Sequence, residues 1–202
     1  MDSQLIKTQP VTLTGRVVRL VPLSKEHIPD LTRAGMDENI WRYMLYGNVD
    51  SEEKMRLWVQ DILNRQGSGT DLAFTVIHQE SGRAIGATRY LDIRPEHRGV
   101  EIGGTWYGAA YQRTAVNTEA KYLLLQYAFE KLGCIRVQFK TDLRNERSQR
   151  ALERLGAVKE GVLRNHMVLI DGTYRHSVYY SVLDSEWPAV KTRLAEKLGY
   201  WL

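Results

Sequence analysis

The sequence predicts an α/β fold in which helices flank a mixed, mostly antiparallel sheet of about seven strands. Three observations predict it. Residues 72–107 contain three alternating apolar stretches separated by turn residues, a helical stretch and then an alternating stretch follow at 117–141, and Asp171-Gly172 joins two further alternating stretches. Helical and strand patterns in one chain favour a sheet with helical connections. We expect one domain over residues 1–202, because this length suits a single hydrophobic core.

The N-terminal part predicts one strand and two helices. The segment Val11–Leu23 alternates loosely and is rich in Val and Leu, which favours a strand, and Ser24 then opens a short helix. A longer helix is expected between Asp50 and Gln66, with Asp50 as its N-cap and Glu53 three residues later. Its apolar residues lie one and three apart, as on an amphipathic helix; they are Met55, Trp58, Val59, Ile62 and Leu63.

The middle of the chain predicts a three-stranded antiparallel meander. Residues 72–76 alternate, and the turn residues 80–83 lead into a second stretch at 84–93. A third strand at 100–107 follows a turn around residues 95–99. Because the connections are short, we expect neighbouring strands to pair antiparallel.

A crossover unit follows the meander. A helix is expected from Asn117 to a glycine stop at Gly133, and residues 135–141 then alternate as a strand with two different faces. Asn145 is the expected N-cap of a second helix that Gly156 ends. The first of these helices has one apolar face, formed by Ala120, Leu123, Leu124, Tyr127, Ala128 and Leu132.

The C-terminal part returns to strands. Stretches at 158–170 and 173–183 flank Asp171-Gly172, which is the strongest two-residue hairpin signal in the chain. A final helix is expected to start near Ser185, within a helical extension at 184–202. This extension belongs to the same expected domain.

Charge and composition narrow the classes of partner. The chain carries 28 Lys and Arg against 24 Asp and Glu, which gives a net charge of +4, and its pI is about 9.1. The basic residues are scattered rather than collected in a run, so we do not expect a nucleic-acid partner. A modest positive excess suits a polyanionic small ligand, because basic surface concentrates phosphates.

Other residue types argue against metal, disulfide and membrane chemistry. Cys134 is the only cysteine and lies in an apolar alternation, which favours a buried small hydrophobe, and the five histidines show no metal-ligand spacing. The longest apolar stretch, Tyr122–Phe129, is far shorter than the ~20 residues that cross a bilayer. The N-terminal residues lack the pattern of a secretory signal. We therefore expect a cytoplasmic protein without a metal or a membrane partner.

The segment Gln112–Ala120 joins a strand to a helix and is a candidate anion site. Backbone N–H groups at the positive end of a helix attract phosphate. The alternative is an ordinary strand-to-helix loop that Asn117 caps. The local pattern by itself leaves both interpretations open.

Three stretches occur in a specific order and spacing. They are Val100–Gly103 with Trp106–Gly108, then Gln112–Lys121 with Leu123–Leu125 and Ala128-Phe129, and finally Asn145–Ala157. With them, the sequence resembles the GNAT acetyltransferase superfamily, in its branch similar to ribosomal-protein N-terminal acetyltransferases of the RimJ/RimL kind. The resemblance covers nearly the whole chain. It implies a sheet splayed between its fourth and fifth strands, with acetyl-CoA as co-substrate.

The resemblance also assigns the cofactor-binding residues. The pantetheine arm is expected to lie like an added strand between the two splayed strands, and the loop is expected to hold the pyrophosphate. The residues assigned to CoA are Trp106, Tyr107, Gln112, Arg113, Thr114, Ala115, Val116, Asn117, Thr118, Asn145 and Ser148.

The phosphate loop departs from the family pattern, which usually reads Gln/Arg-x-x-Gly-x-Gly/Ala. Gln112 is kept, whereas Ala115 and Asn117 stand where small residues are usual. Glycine takes positive φ freely, so Ala115 must either have an ordinary φ or be strained. Arg113 adds a cation beside the expected phosphates. We expect CoA binding to survive this departure.

The resemblance implies direct attack of an amine on the thioester. Amines are mostly protonated at neutral pH, so a base must remove a proton. Glu101 is assigned this role, with Asp92 in reserve, and backbone amides near Trp106 polarise the carbonyl. Ser148, one helical turn from Asn145, is assigned to support the thiolate. The alternatives are a solvated strand carboxylate for Glu101 and a packing role for Ser148.

Acceptor specificity is expected from two segments, Trp41–Tyr46 and the hairpin around His166–His176. Their aromatic residues either wall a substrate cleft or belong to the core. The acceptor is expected to be a primary amine, on a protein or peptide N-terminus or on a small molecule. A catalytically silent CoA-binding protein of the same fold is the alternative function. The oligomeric state is left open, a homodimer included.

Overall fold

A computed structural model describes residues 9–200, and these form one eight-stranded sheet with helices on both faces. The strand order is β1-β2-β3-β4-β5-β6-β8-β7, and every neighbouring pair is antiparallel except β5 and β6. The predicted α/β class and the three-stranded meander are therefore confirmed. The strands are β1 Leu13–Thr14, β2 Val18–Pro22, β3 Leu72–His78, β4 Ala84–Arg94, β5 Gly99–Tyr107, β6 Arg136–Asp142, β7 Val158–Val168 and β8 Tyr174–Leu183.

The strand count differs from the expected seven because the first predicted strand is divided. A turn separates β1 from β2, in which the Gly15 amide donates to the Val18 carbonyl at 2.9 Å. The two halves then pair with each other as a short hairpin. The five α-helices of residues 9–200 are α1 Ile28–Ala34, α2 Glu52–Gly67, α3 Ala115–Glu130, α4 Glu146–Leu155 and α5 Trp187–Lys197.

The two faces of the sheet carry two separate apolar clusters. On the first, termed the α3 face, residues such as Val100 and Phe139 pack against α3, α4 and α5. On the second, termed the α2 face, residues such as Ala87 and Trp106 pack against α1 and α2. Neighbouring residues of a strand therefore point into different clusters, as the period of two requires.

Strands β5 and β6 separate part-way along their length. They pair in parallel only where Gly99–Glu101 lies opposite Arg136–Gln138, and no later residue of β5 pairs with β6. The gap beyond Glu101 and Gln138 is termed the fork. A register shift between β4 and β5 lies beside it, with Gly104 at φ 57°. A Cβ at Gly104 would lie 2.9 Å from Arg89 Nε, so only glycine fits there. The predicted splay is confirmed.

Helix α3 begins two residues before the predicted start. Thr114 is its N-cap and accepts from the Val116 amide at 3.3 Å, so the expectation that Asn117 caps this helix is wrong. Ala115 is a good helix former, so the helix extends N-terminally to Ala115, where the Thr114 hydroxyl caps it. Ala115 therefore has an ordinary φ, and the positive φ falls on Arg113 at 63°.

The other helix ends follow simple capping rules. Ser51 rather than Asp50 caps α2, because its hydroxyl accepts from the Lys54 amide at 3.2 Å, while the Asp50 carboxylate binds the Lys54 ammonium at 2.8 Å. Asn145 caps α4 as predicted, and Gly156 ends it at φ 105°. The final predicted helix is α5.

Glu119 fixes α3 against the first strands. Its buried carboxylate accepts from the amides of Arg16, Val17 and Val18 at 2.9, 2.8 and 2.6 Å, and from the Tyr200 hydroxyl. Charge-assisted bonds of this kind are stronger than neutral ones. They hold the N-terminal end of α3 in a fixed position relative to the sheet.

Membrane insertion by a helix has no support in the described part of the chain. None of the helices within residues 9–200 combines the length and the apolar character that a bilayer crossing requires.

Candidate active site

Glu101 lies at the closed end of the fork. It is the last residue of β5 that pairs with β6, opposite Gln138. Val100 and Ile102 point into the α3-face cluster, so the side chain of Glu101 lies on the α2 face, where it is 2% exposed. The solvated carboxylate that the sequence left open is therefore excluded.

A short polar network surrounds this carboxylate. Gln138 Nε2 donates to Glu101 Oε2 at 3.0 Å and to Asp92 Oδ2 at 3.1 Å. Lys140 Nζ lies 3.3 Å from the same Glu101 oxygen. The reserve base, Asp92, is therefore adjacent to the primary one, but its side chain is 48% exposed. Glu101 is the carboxylate that is held away from bulk water.

The β7–β8 hairpin extends the network away from the fork. Lys140 Nζ lies 5.8 Å from the ring centroid of Tyr179, whose hydroxyl lies 3.4 Å from His166 Nε2. His166 Nδ1 lies 3.0 Å from Ser177 Oγ. Burial lowers the pKa of His166, and the charge of Lys140 adds to this effect. The neutral imidazole is thus favoured at this position.

Arg89 forms the other side of the polar region on the α2 face, and sequence reasoning did not identify it. Its Nε lies 3.1 Å from Asp71 Oδ2, and both side chains are less than one tenth exposed. Its guanidinium also donates to the Tyr46 hydroxyl. No local spacing relates Arg89 to its two partners, which lie 18 and 43 residues away.

The first of the two acceptor segments is partly core. Trp41 is 2% exposed, and its ring centroid lies 5.0 Å from that of Trp106 and 6.3 Å from that of Trp58. Tyr43 and Tyr46 are half-buried. Within this segment, Trp41 therefore belongs to the core, whereas Tyr43 and Tyr46 stay candidates for the wall of a cleft.

The two acceptor segments lie next to each other. A Cβ built at Gly47, directly after the first segment, would lie 3.2 Å from Ile170 Cδ1 in the hairpin. The structure thus brings both segments to the α2 face, where Glu101 also lies.

The predicted phosphate loop is tied to both sides of the fork. Gln112 Nε2 donates to the Tyr107 carbonyl at 3.0 Å, at the end of β5. Its Oε1 accepts from Arg147 at 2.7 Å, at the start of α4. Arg147 is exposed and was missed by sequence reasoning, because only this long-range contact places it at the loop. It adds a second cation to Arg113.

The remaining loop residues have different exposures. Arg113, Thr114 and Ala115 are exposed, and Asn117 and Thr118 are half-buried in the first turn of α3. Val116 is buried in the α3-face cluster, so its side chain faces the core and only its backbone is available to a ligand.

Asn145 and Ser148 lie at the start of α4, which packs on the α3 face. Asn145 Oδ1 accepts from the Ser148 amide at 3.1 Å, so this side chain is occupied with capping. Ser148 is half-buried, and within residues 9–200 its hydroxyl makes no hydrogen bond. Its hydroxyl is therefore available to a ligand.

The side chains of Trp106 and Tyr107 belong to the core. Both are buried, one on each face of the sheet. Trp106 Nε1 and the Tyr107 hydroxyl have no hydrogen-bond partner among the described residues, and burial raises the pKa of Tyr107. What these two residues present to the fork is therefore the backbone edge of β5.

Cys134 is the buried small hydrophobe that its pattern predicts. It is 2% exposed, and burial raises the pKa of its thiol to about 12. A thiolate nucleophile is disfavoured under these conditions. In the part of the chain that the structure describes, no three His, Cys, Asp or Glu side chains are grouped to hold a metal ion.

Comparison with known proteins decides the family. The sequence profile of the acetyltransferase (GNAT) domain matches residues 18–158, which is most of the chain. This chain belongs to the GNAT acetyltransferase family. The predicted family and its enzyme class, N-acetyltransferase, are thereby confirmed.

The relatives agree with this assignment. The crystal structure of a GCN5-related N-acetyltransferase from Brucella melitensis is 32% identical, covers 94% of this chain and 86% of its own, and superposes with a TM-score of 0.88. YdaF of Bacillus subtilis, named as a candidate ribosomal N-acetyltransferase, is 35% identical over 110 residues, which cover 54% of this chain and only 59% of YdaF.

The structure of Mycobacterium smegmatis RimJ in complex with CoA-disulfide has the same GNAT fold. It is 18% identical, covers 95% of this chain and 96% of its own, and has a TM-score of 0.79. The name of YdaF bears out the predicted likeness to the RimJ/RimL branch, and RimJ adds the shared fold alone.

Proposed function

We propose that this chain transfers an acetyl group from acetyl-CoA to a primary amine on a protein or peptide, with Glu101 as the group that receives the amine proton. The observation that carries the proposal is the position of Glu101, which is buried at the closed end of the fork. A buried carboxylate beside an open pair of strand edges suits proton removal from an amine that enters there.

The residues around the fork fit coenzyme A. The backbone edges of β5 and β6 diverge and leave their N–H and C=O groups without a strand partner, which suits the amides of a pantetheine arm. The N-terminus of α3, with the cations of Arg113 and Arg147 nearby, suits phosphates. Acetyl-CoA supplies the activated thioester, and the chain supplies the positioning.

Each proposed step belongs to a named side chain. Glu101 accepts the proton that the amine releases as the C–N bond forms. Backbone amides near Trp106 donate to the carbonyl oxygen as charge develops on it. Ser148 donates to the sulfur as the C–S bond breaks, from the α3 face, while the amine approaches from the α2 face.

A protein or peptide acceptor is supported by the relatives and by an open cleft on the β7–β8 hairpin. YdaF is named for ribosomal acetylation, and RimJ has the same fold. The two acceptor segments, Trp41–Tyr46 and the hairpin around His166–His176, meet beside the polar region that contains Glu101. Residues 162–166 and His176 of the hairpin line an open cleft, which suits an extended chain end better than a small enclosed molecule.

A thiol-release assay tests the proposal. Acetyl-CoA is supplied with peptides that have free N-termini, with the same peptides blocked at the N-terminus, and with lysine, a polyamine and an aminoglycoside. We expect turnover with the free peptides and none with the blocked ones. If acetyl-CoA raises the melting temperature while no amine gives turnover, the chain is a silent CoA-binding protein and the proposal fails.

A further inference from the structure

A buried lysine lies under the fork on the α3 face. Lys121 extends from the second turn of α3 and is 6% exposed. Its Nζ lies 2.7 Å from Thr105 Oγ1 on β5 and 5.9 Å from the ring centroid of Phe139 on β6. Thr105 and Phe139 both lie beyond Glu101 and Gln138, the last residues through which β5 and β6 pair. The amine is therefore between the diverging strands.

Among residues 9–200, no charged group compensates this amine. On its own helix, the nearest carboxylate in sequence, Glu119, binds the backbone amides of residues 16–18. Glu101 and Lys140 point to the opposite face of the sheet. From β4, the Tyr90 hydroxyl donates to the Leu124 carbonyl. Burial is the only cause that shifts the Lys121 pKa, and it lowers the value to about 7.

The hydroxyl groups next to Lys121 form a short chain but do not satisfy it. Thr105 Oγ1 lies 2.8 Å from Thr88 Oγ1, and within residues 9–200 it is the only acceptor of a hydrogen bond from the lysine. An ammonium has three donors, so two have no acceptor here. Buried donors without partners are costly, and proteins rarely keep them without use.

We propose that Lys121 is a cofactor-binding residue, whose ammonium donates to a carbonyl oxygen of the pantetheine arm or the thioester from beneath the fork. The inference rests on the proposed function only in taking acetyl-CoA as the donor. The arm carries two amide carbonyls and the thioester carbonyl, which are the acceptors that the fork lacks. This role of Lys121 does not depend on which amine accepts the acetyl group.

Binding of acetyl-CoA is then coupled to proton uptake. In the empty protein Lys121 loses its proton as the pH rises through about 7. A carbonyl partner favours the charged form and raises the pKa in the complex. Affinity for acetyl-CoA is therefore highest below pH 7 and falls as the pH rises, by about 16-fold between pH 7 and 8.5 if the bound lysine stays charged.

Titration calorimetry of the wild-type protein tests the coupling. Acetyl-CoA is used because the free thiol of CoA titrates near pH 8.5. Measurements at pH 8.5 in two buffers with different ionisation enthalpies give the number of protons taken up. We expect almost one proton with acetyl-CoA and none with adenosine 3′,5′-bisphosphate, which has phosphates but no arm. Equal uptake with both ligands, or none with either, overturns the inference.

The variants Lys121→Met and Thr105→Val separate binding from packing. We expect Lys121→Met to fold with at least the wild-type melting temperature. At pH 6.5, where the wild-type lysine is charged, the variant should bind acetyl-CoA at least about fivefold more weakly. Its affinity should also no longer depend on pH. Thr105→Val removes the one acceptor of the lysine, so its affinity should begin to fall at lower pH than that of the wild type. Wild-type affinity and pH dependence in Lys121→Met would refute the inference, whatever the outcome of the acetylation assay.

Discussion

Two carboxylates, those of Glu101 and Asp92, accept hydrogen bonds from the same amide of Gln138, but they differ in their exposure to water. Glu101 also contacts Lys140, which is part of the chain of polar groups that reaches His166. The proposed base and a second carboxylate with the same amide partner can therefore be compared in one protein.

The variant Glu101→Gln should lower kcat at neutral pH by at least about 100-fold, because a positioned general base contributes that much or more. Steady-state rates with a reactive peptide measure it. Asp92→Asn is the matched control, since it changes a carboxylate on the same Gln138 amide, and its rate should stay within about threefold of wild type. If Asp92→Asn shows the larger loss, the roles of the two residues are reversed.

Ser148→Ala should lower kcat by about tenfold or more, since hydrogen bonds to charged groups contribute roughly 1.5–3 kcal/mol. Its stability should not change, because the hydroxyl has no partner within residues 9–200. Asn145→Ala provides the contrast: loss of the α4 N-cap should cost about 1 kcal/mol of unfolding free energy. Denaturant unfolding and steady-state kinetics measure the two quantities. A stability loss in Ser148→Ala with an unchanged rate would give Ser148 a packing role.

At the residue scale, the sequence predicts what local periodicity controls. The strand alternation shows that Glu101 faces away from Val100 and Ile102, and the structure confirms this. Arg89, Arg147 and Lys140 were missed, because their partners lie far away in sequence and no spacing rule relates them. Long-range contacts require the tertiary fold.

Helix α3 illustrates the element scale, because its start combines a cap, a strained residue and a candidate phosphate site. Thr114 caps the helix, and Arg113 before it has φ 63°. In this left-handed region a residue with a Cβ is strained by about 1 kcal/mol. The strain that the unusual loop sequence suggested at Ala115 is thus located two residues earlier.

Arg113→Gly and Arg113→Ala should separate strain from charge. Both remove the cation, so both should weaken acetyl-CoA binding by a similar factor of about three to ten, consistent with one phosphate contact. Only glycine relieves the positive φ, so Arg113→Gly should be about 1 kcal/mol more stable than Arg113→Ala. Calorimetric binding and denaturant unfolding measure both effects. Equal stabilities would contradict the left-handed backbone at this position.

Element boundaries were predicted less well than the elements themselves. The sequence predicted the N-caps at Asp50 and Asn117, whereas the N-caps in the structure are Ser51 and Thr114. Asn, Asp, Ser and Thr have similar capping energies. When several of these residues stand near each other, the hydrophobic face that packs on the sheet decides where the helix begins, and that packing is not local.

For the whole molecule, the burial of Lys121 links stability to pH. Its pKa is about 7 in the folded protein and about 10.4 in an unfolded chain. Between these values the unfolded chain binds the proton and the folded chain does not. This group therefore makes the protein more stable as pH rises from 7 to about 10, by about 1.4 kcal/mol per pH unit at most.

The variant Lys121→Met should lack this contribution. Its unfolding free energy should exceed that of the wild type most at pH 7 and below, and the difference should narrow as the pH rises towards 10. Denaturant unfolding at pH 7, 8 and 9 measures the trend. A constant difference over this range would mean that the lysine is charged in the folded protein throughout.

The topology of the whole sheet was largely predictable, because each connection has a local signal. The meander, the crossover and the C-terminal hairpin all occur as predicted. The hairpin turn is longer than the expected Asp171-Gly172 pair, because the Leu169 amide donates to the Thr173 carbonyl across it at 2.9 Å. The division of the first strand at Gly15 was not, since loose alternation does not distinguish one strand from two short ones. The fork itself followed from family resemblance, as no local pattern encodes where a parallel pair ends.

The contact between Gly47 and Ile170 has a consequence for how this protein could acquire a new acceptor. The two residues are 123 positions apart, yet a side chain added at one meets the other within 3.2 Å. Substitutions in the two segments should therefore be non-additive. A library that varies one segment at a time would recover few changes of acceptor, whereas exchanging both segments together from one relative should transfer its preference.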